Sequence, residues 1–112
     1  MPASRFDPRQ IGTVLTNLVL NAQDAAGTEG RVVVETTQRN GAILLAVRDN
    51  GCGMSPAFVQ NELFRPFRST KSKGLGIGMF QSRVIVEAHG GTIQVESLEG
   101  EGTVFRVSLP LE

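Results

Sequence analysis

Residues 16–26 read TNLVLNAQDAA, and inside this aliphatic run Asn17 and Asn21 stand four residues apart. That spacing stacks both amides on one helix face. Asparagine competes with the helix for backbone hydrogen bonds and suits caps better than interiors. Two of them mid-helix therefore ask for a reason. The helix itself is well signalled. Asp7-Pro8 supplies an N-cap acceptor and a residue pre-set for the first turn. Ile11, Val14, Leu15, Leu18, Val19, Ala22 and Ala25 then recur at helical spacing, and Gly27 closes the segment. Thr13, Asn17, Asn21 and Asp24 fall on one strip, expected opposite this apolar stripe.

Beyond Gly27, RVVVETTQ (31–38) and AILLAVRD (42–49) are β-rich runs joined by Arg39-Asn40-Gly41, a hairpin signal. The loop DNGCGM follows, and Ser55-Pro56 starts a short helix of one or two turns. Residues 64–74, FRPFRSTKSKG, have no period and read as a loop. GIGMFQSRVIVEAHGG (76–91) opens in glycine and runs as an apolar helix to about Ala88. TIQVESL (92–98) and TVFRVSLP (103–110) alternate as strands around the turn EGEG. The predicted order is α-β-β-α-loop-α-β-β. It implies a two-layer α/β sandwich with a mixed, mainly antiparallel sheet and helices on one face.

The bulk numbers bound the function. The chain has 112 residues, the length of a single domain, with 11 basic and 11 acidic side chains. Zero formal charge argues against a general affinity for nucleic acid or anionic membrane. No apolar run is long enough to span a bilayer. The single cysteine, Cys52, makes no internal disulfide, which points to a reducing cytoplasm. With neither Trp nor Tyr, the core rests on Leu, Ile, Val and six Phe.

Three places carry candidate chemistry. Asn21 offers a neutral amide oxygen suited to Mg²⁺ held mostly by phosphates and water. Taken alone, the asparagine pair fits a solvated helix face equally well. Asp49, leaving a strand into DNGCGM, can accept from an amino group such as that of adenine, and Gly51 and Gly53 allow backbone to pack on a flat ring. The same residues also make an ordinary turn. Gly74, Gly76 and Gly78 open a helix whose unpaired N–H groups suit a phosphate, with Lys71 and Lys73 just upstream. Their spacing is neither the dinucleotide fingerprint nor the Walker loop, and a flexible hinge is the plain alternative.

Taken in order, these segments resemble the ATP-binding domain of the GHKL superfamily, which includes histidine kinases, gyrase-type topoisomerases, heat-shock chaperones and mismatch-repair ATPases. NLVLNAQDA resembles the N box, DNGCGM the first glycine box, Phe64-Arg-Pro-Phe67 the F box, GLGIG the second glycine box, and Gly102-Thr103 the terminal glycine-threonine element. The resemblance runs from Phe6 to Leu111 and implies a Bergerat ATP-binding fold. It implies that Asn21 coordinates Mg²⁺, that Asp49 recognises the adenine amine, and that Gly51 and Gly53 shape the adenine pocket. Gly74, Gly76 and Gly78 match the lid hinge and phosphate-binding helix start; Thr103 lies near the adenine-binding aspartate. Phe64 and Phe67 flank the nucleotide, and Lys71 is a phosphate contact in a lid that varies among members.

The branch follows from position 17. Hydrolases of the superfamily carry glutamate four residues before the metal asparagine; here that residue is Asn17, a neutral amide and no comparable base. This favours phosphotransfer by a bacterial two-component sensor histidine kinase, with Asn17 lining the cleft to orient the γ-phosphate or the attacking histidine. FRPFRSTKSKGLGIGMF is similar to nitrogen-regulation and PEP-CTERM-associated kinases. Asp24 stands where many kinases carry a cation, a role Arg68, Lys71 or Lys73 would take over. His89, beside two glycines at a helix end, does not fit the phosphoacceptor. That histidine is expected on a separate dimerisation domain, with a response regulator downstream and no nucleic-acid or membrane contact by this domain. The chain is thus expected to be one catalytic domain of a longer kinase, trimmed at its N-terminal edge, with an exposed edge strand and weak order from Arg68 to Leu75. The competing readings are a regulatory pseudokinase module that binds nucleotide, and a GHKL ATPase or anti-sigma-type serine kinase.

Overall fold

The computed structural model describes residues 8–61, 63–64 and 77–110. Its elements are α1 (Pro8–Ala26), β1 (Val32–Arg39), β2 (Ala42–Asp49), α2 (Pro56–Asn61), α3 (Ile77–Ala88), β3 (Thr92–Leu98) and β4 (Gly102–Pro110). Local chemistry sets their ends. Gly27, at φ 75°, donates its N–H to Gln23 O and caps α1 in the left-handed region that glycine enters freely. Asn40 and Gly41, both at positive φ, form the tight turn between β1 and β2. The Ser55 hydroxyl accepts from Phe58 N and caps α2.

The four strands form one sheet in the order β1-β2-β4-β3, every neighbouring pair antiparallel. β4 therefore lies between β2 and β3, and the stretch containing α2 and α3 carries the chain across it. Alternation places Leu45, Val47 and Asp49 of β2 with Thr103, Phe105, Val107 and Leu109 of β4 on one face, all buried. Against that face pack Val14, Leu18 and Ala22 of α1 and Met79, Ile85 and Val86 of α3. The result is the two-layer α/β sandwich, with a fully antiparallel sheet. β1 is an edge, and beyond half-buried Val32 its residues are exposed on both faces.

One expectation about α1 needs correction. Thr13, Asn17 and Asn21 do not lie opposite the sheet-facing stripe; they flank it and are half-buried, while Asp24 is exposed. The physical reason is α3, which packs alongside α1 and covers that flank. The face pointing away is marked instead by Leu20, which is 57% exposed.

Candidate functional site

At the end of the sheet where β2 stops, the register aligns Asp49 with Thr103 and Thr103 with Ser97. These three residues form a polar row across β2, β4 and β3 on the helix-facing side. The next row, Val47–Phe105–Val95, is apolar. Asp49 is 5% exposed and Thr103 4%. A carboxylate buried this deeply is costly unless it is hydrogen-bonded. One oxygen, Asp49 Oδ1, accepts from Gly51 N at 2.8 Å. Thr103 Oγ1 lies 2.7 Å from Ser97 Oγ, and Ser97 Oγ accepts from Met54 N at 2.7 Å.

The loop after β2 is held on both sides. Gly100 N donates to Cys52 O at 2.7 Å, and Arg31 N donates to Asn50 Oδ1 at 2.7 Å. Gly51 and Gly53 both have a packing reason. A Cβ on Gly51 would fall 2.4 Å from Ala25 O of α1, and one on Gly53, which sits at φ 72°, would fall 2.1 Å from Leu98 O. No side chain fits where backbone comes so close. A cavity of about 790 Å³ lies at this end of the sheet, lined by Asp49, Asn50, Ser97 and Gly102 but also by Val33, Arg48, Glu96 and Val104 of the face turned away from the helices; Thr103, Gly51, Gly53 and Asn21 do not line it.

Asn17 lies elsewhere, at the contact between α1 and α3. Its Nδ2 is 3.3 Å from Gly78 O, 3.1 Å from Gln81 Oε1 and 3.3 Å from Ser82 Oγ, all on the first turns of α3. A Cβ on Gly78 would stand 3.4 Å from Asn17 Cγ, so the helices meet closely here. Ser82 is fully buried. The two halves are joined by α1 itself. Asn17, Asn21 and Ala25 follow at one-turn intervals, Asn17 against Gly78 and Ala25 against Gly51, about 12 Å apart along the axis. Half-buried Asn21 lies between them.

The structure thus gathers Asp49, Gly51, Gly53 and Thr103 at one end of α1 and Asn17 with Gly78 at the other. Phe64, half-buried, stacks under the Arg83 guanidinium, 5.3 Å from its ring centroid, and lies outside the lining of that cavity. Phe67, Lys71, Gly74 and Gly76, with the rest of the expected lid, lie outside the described residues. Sequence reasoning missed Ser97, Gln81 and Ser82. Ser97 was findable, because the turn between β3 and β4 sets it opposite Thr103; Gln81 and Ser82 needed the packing of two helices. Among the described residues no group of three or more His, Cys, Asp or Glu could hold a metal, and no helix is long and apolar enough to cross a membrane.

Comparison with known proteins agrees with this layout. Residues 6–112 match the family model described as histidine kinase-, DNA gyrase B-, and HSP90-like ATPase. The sensor histidine kinase ZraS of Escherichia coli K12 is 39% identical over 111 residues, covering 99% of this chain and 24% of that protein. The C4-dicarboxylate transport sensor protein DctB of Rhizobium meliloti is 46% identical over 98 residues, covering 86% of this chain and 16% of its own. The chain thus spans about a quarter or less of these relatives. Among solved structures, the catalytic domain of histidine kinase ThkA superposes with a TM-score of 0.84 at 33% identity, covering 95% of this chain and 69% of that one. Full-length ShkA, in complex with AMPPNP, gives 0.80 at 25% identity, covering 91% and 21%.

Proposed function

Because the chain belongs to the histidine kinase-, DNA gyrase B-, and HSP90-like ATPase family, we propose that it is the ATP·Mg²⁺-binding catalytic domain of a sensor histidine kinase. It positions the γ-phosphate for transfer to a histidine on a separate dimerisation domain of the same longer protein. The observation that carries this reading is the buried Asp49 carboxylate, with Oδ1 engaged by Gly51 N where the glycine loop meets α1. Its second oxygen accepts from the adenine amine, and Thr103 beside it completes the polar end of the base pocket. The relatives named as sensor histidine kinases and the AMPPNP complex of ShkA support nucleotide chemistry of this class.

The phosphates run toward α3. Asn21, one turn from each end of the site, presents a neutral oxygen that fits Mg²⁺ held otherwise by phosphate and water. Bound there, the metal neutralises charge on the phosphates during transfer. Asn17 acts at one remove: its amide holds the first turn of α3, so that Gly78 and the helix N-terminus face the phosphate end in a fixed orientation. The motifs assign Gly74 and Gly76 to a lid hinge, Lys71 to a phosphate contact and Phe64 and Phe67 to nucleotide binding; of these only Phe64 is among the described residues. Asn17, standing where the superfamily's hydrolases carry glutamate, is no comparable base for water, which favours phosphotransfer over hydrolysis. The kinase passes its phosphoryl group onward to a response regulator on the cytoplasmic side.

The test is transfer in trans. Labelled ATP is incubated with this domain and with the dimerisation domain of the parent kinase, and the label is followed into acid-labile phosphohistidine. Label in the dimerisation domain that depends on Asp49 supports the proposal. Tight ATP binding without transfer would instead favour the regulatory module, and release of phosphate to water the ATPase.

A further inference from the structure

We infer that Ser97, which belongs to none of the family motifs read in the sequence, is a positioning residue that sets base recognition through Thr103 and the glycine loop. The inference rests on the nucleotide reading of the site. Ser97 Oγ meets three groups at once: Met54 N donates to it at 2.7 Å, Gly102 O lies at 3.2 Å, and Thr103 Oγ1 at 2.7 Å. A serine hydroxyl has one proton and two lone pairs. Met54 fills one lone pair. If the Ser97 proton goes to Gly102 O, Thr103 must donate to Ser97 and shows the pocket only acceptor lone pairs. If it goes to Thr103, the Thr103 proton turns toward the pocket and Asp49, its cross-strand neighbour. Ser97 therefore decides whether the pocket wall beside Asp49 donates or accepts.

The same hydroxyl tethers the loop. Met54 ends the glycine stretch that begins at Asp49, and its N–H donates to Ser97 Oγ, which ties the far end of the loop to the sheet. Close by, Gly53 packs on Leu98 O and Cys52 O accepts from Gly100 N. Loss of the Ser97 hydroxyl frees the Thr103 rotor and one anchor of the loop, leaving the backbone contacts in place. A purely structural serine would change stability and leave base preference alone. A positioning serine changes base preference.

The experiment is calorimetric affinity for Mg·ATP and Mg·ITP, which differ where an amino group is replaced by a carbonyl, in the wild type, Ser97→Ala, Ser97→Thr, Thr103→Val and the Ser97→Ala/Thr103→Val pair. Thermal melting is recorded for each protein. We expect the wild type to prefer ATP. Ser97→Ala should narrow the ATP-to-ITP ratio about fivefold, the worth of one hydrogen bond, and Ser97→Thr should restore it. Thr103→Val should narrow the ratio similarly, with no further loss in the pair. Should Ser97→Ala fail to fold, Thr103→Val decides alone. A folded wild type without ATP affinity would overturn the nucleotide reading and this inference together. A wild type that binds ATP, with either single variant keeping the full ratio, would overturn this inference only.

Discussion

The side-chain amide of Asn17 spans the contact between α1 and α3 and reaches the carbonyl of Gly78 at 3.3 Å, with Gln81 Oε1 and Ser82 Oγ beside it. An amide nitrogen has two protons, so these three acceptors share them. The bond ties the helix that carries both asparagines to the helix that opens in glycine. It explains why a mediocre helix former occupies this place, since its helix cost of roughly 0.5 kcal/mol is smaller than the worth of the bonds it makes.

Replacing that amide is the first prediction. Asn17→Ala should cost about 1–2 kcal/mol in urea unfolding, because Ser82 Oγ and Gly78 O lose a donor in a part-buried setting. Asn17→Asp should cost more, since a carboxylate would face the Gly78 and Gln81 oxygens. An Asn17→Ala variant as stable as the wild type would show that the amide donors contribute nothing.

Two glycines should respond in opposite directions. Gly51→Ala would place a Cβ 2.4 Å from Ala25 O, against backbone that has no way to yield, and should destabilise the domain by about 1–3 kcal/mol or more. Gly12 lies inside α1 with nothing within 4 Å of an added Cβ, so Gly12→Ala should stabilise by about 0.5–1 kcal/mol. Paired urea titrations read both changes. A Gly51→Ala variant as stable as the wild type would contradict the close approach of α1 to the loop.

Much of this was legible in the sequence, because the signals are local. Asp7-Pro8 and Gly27 bracket α1, Asn40-Gly41 makes the first hairpin, and alternation in 92–98 and 103–110 marks two strands, each within a residue or two of its observed bounds. Asp49 and Thr103 were identified on motifs, and the register sets them side by side. What the sequence hid is what long-range packing decides. Helical periodicity alone placed Asn17 away from the core, with nothing to say that α3 would lie along that flank. The glycines of DNGCGM read as room for a ring; what the sequence did not show is that their missing side chains also make room for Ala25 and Leu98 backbone.

Asn21 should reveal itself through metal dependence. In the wild type, chelation of Mg²⁺ should weaken ATP binding about tenfold or more. Asn21→Ala should bind ATP at about the chelated level with or without the metal, because the protein's oxygen ligand is gone. An Asn21→Ala variant whose ATP affinity still rises with Mg²⁺ as in the wild type would remove Asn21 from the metal site.

The central claim is that the buried Asp49 carboxylate recognises a nucleotide base, and calorimetric titration of Mg·ATP into the wild type and Asp49→Asn tests it most directly. The substitution keeps the shape of the side chain and replaces an acceptor oxygen with a donor facing the adenine amine. The account predicts micromolar to millimolar binding by the wild type and at least about a tenfold loss in the folded variant, as expected when a buried polar partner is left unpaired. Equal affinity in the two folded proteins would contradict it.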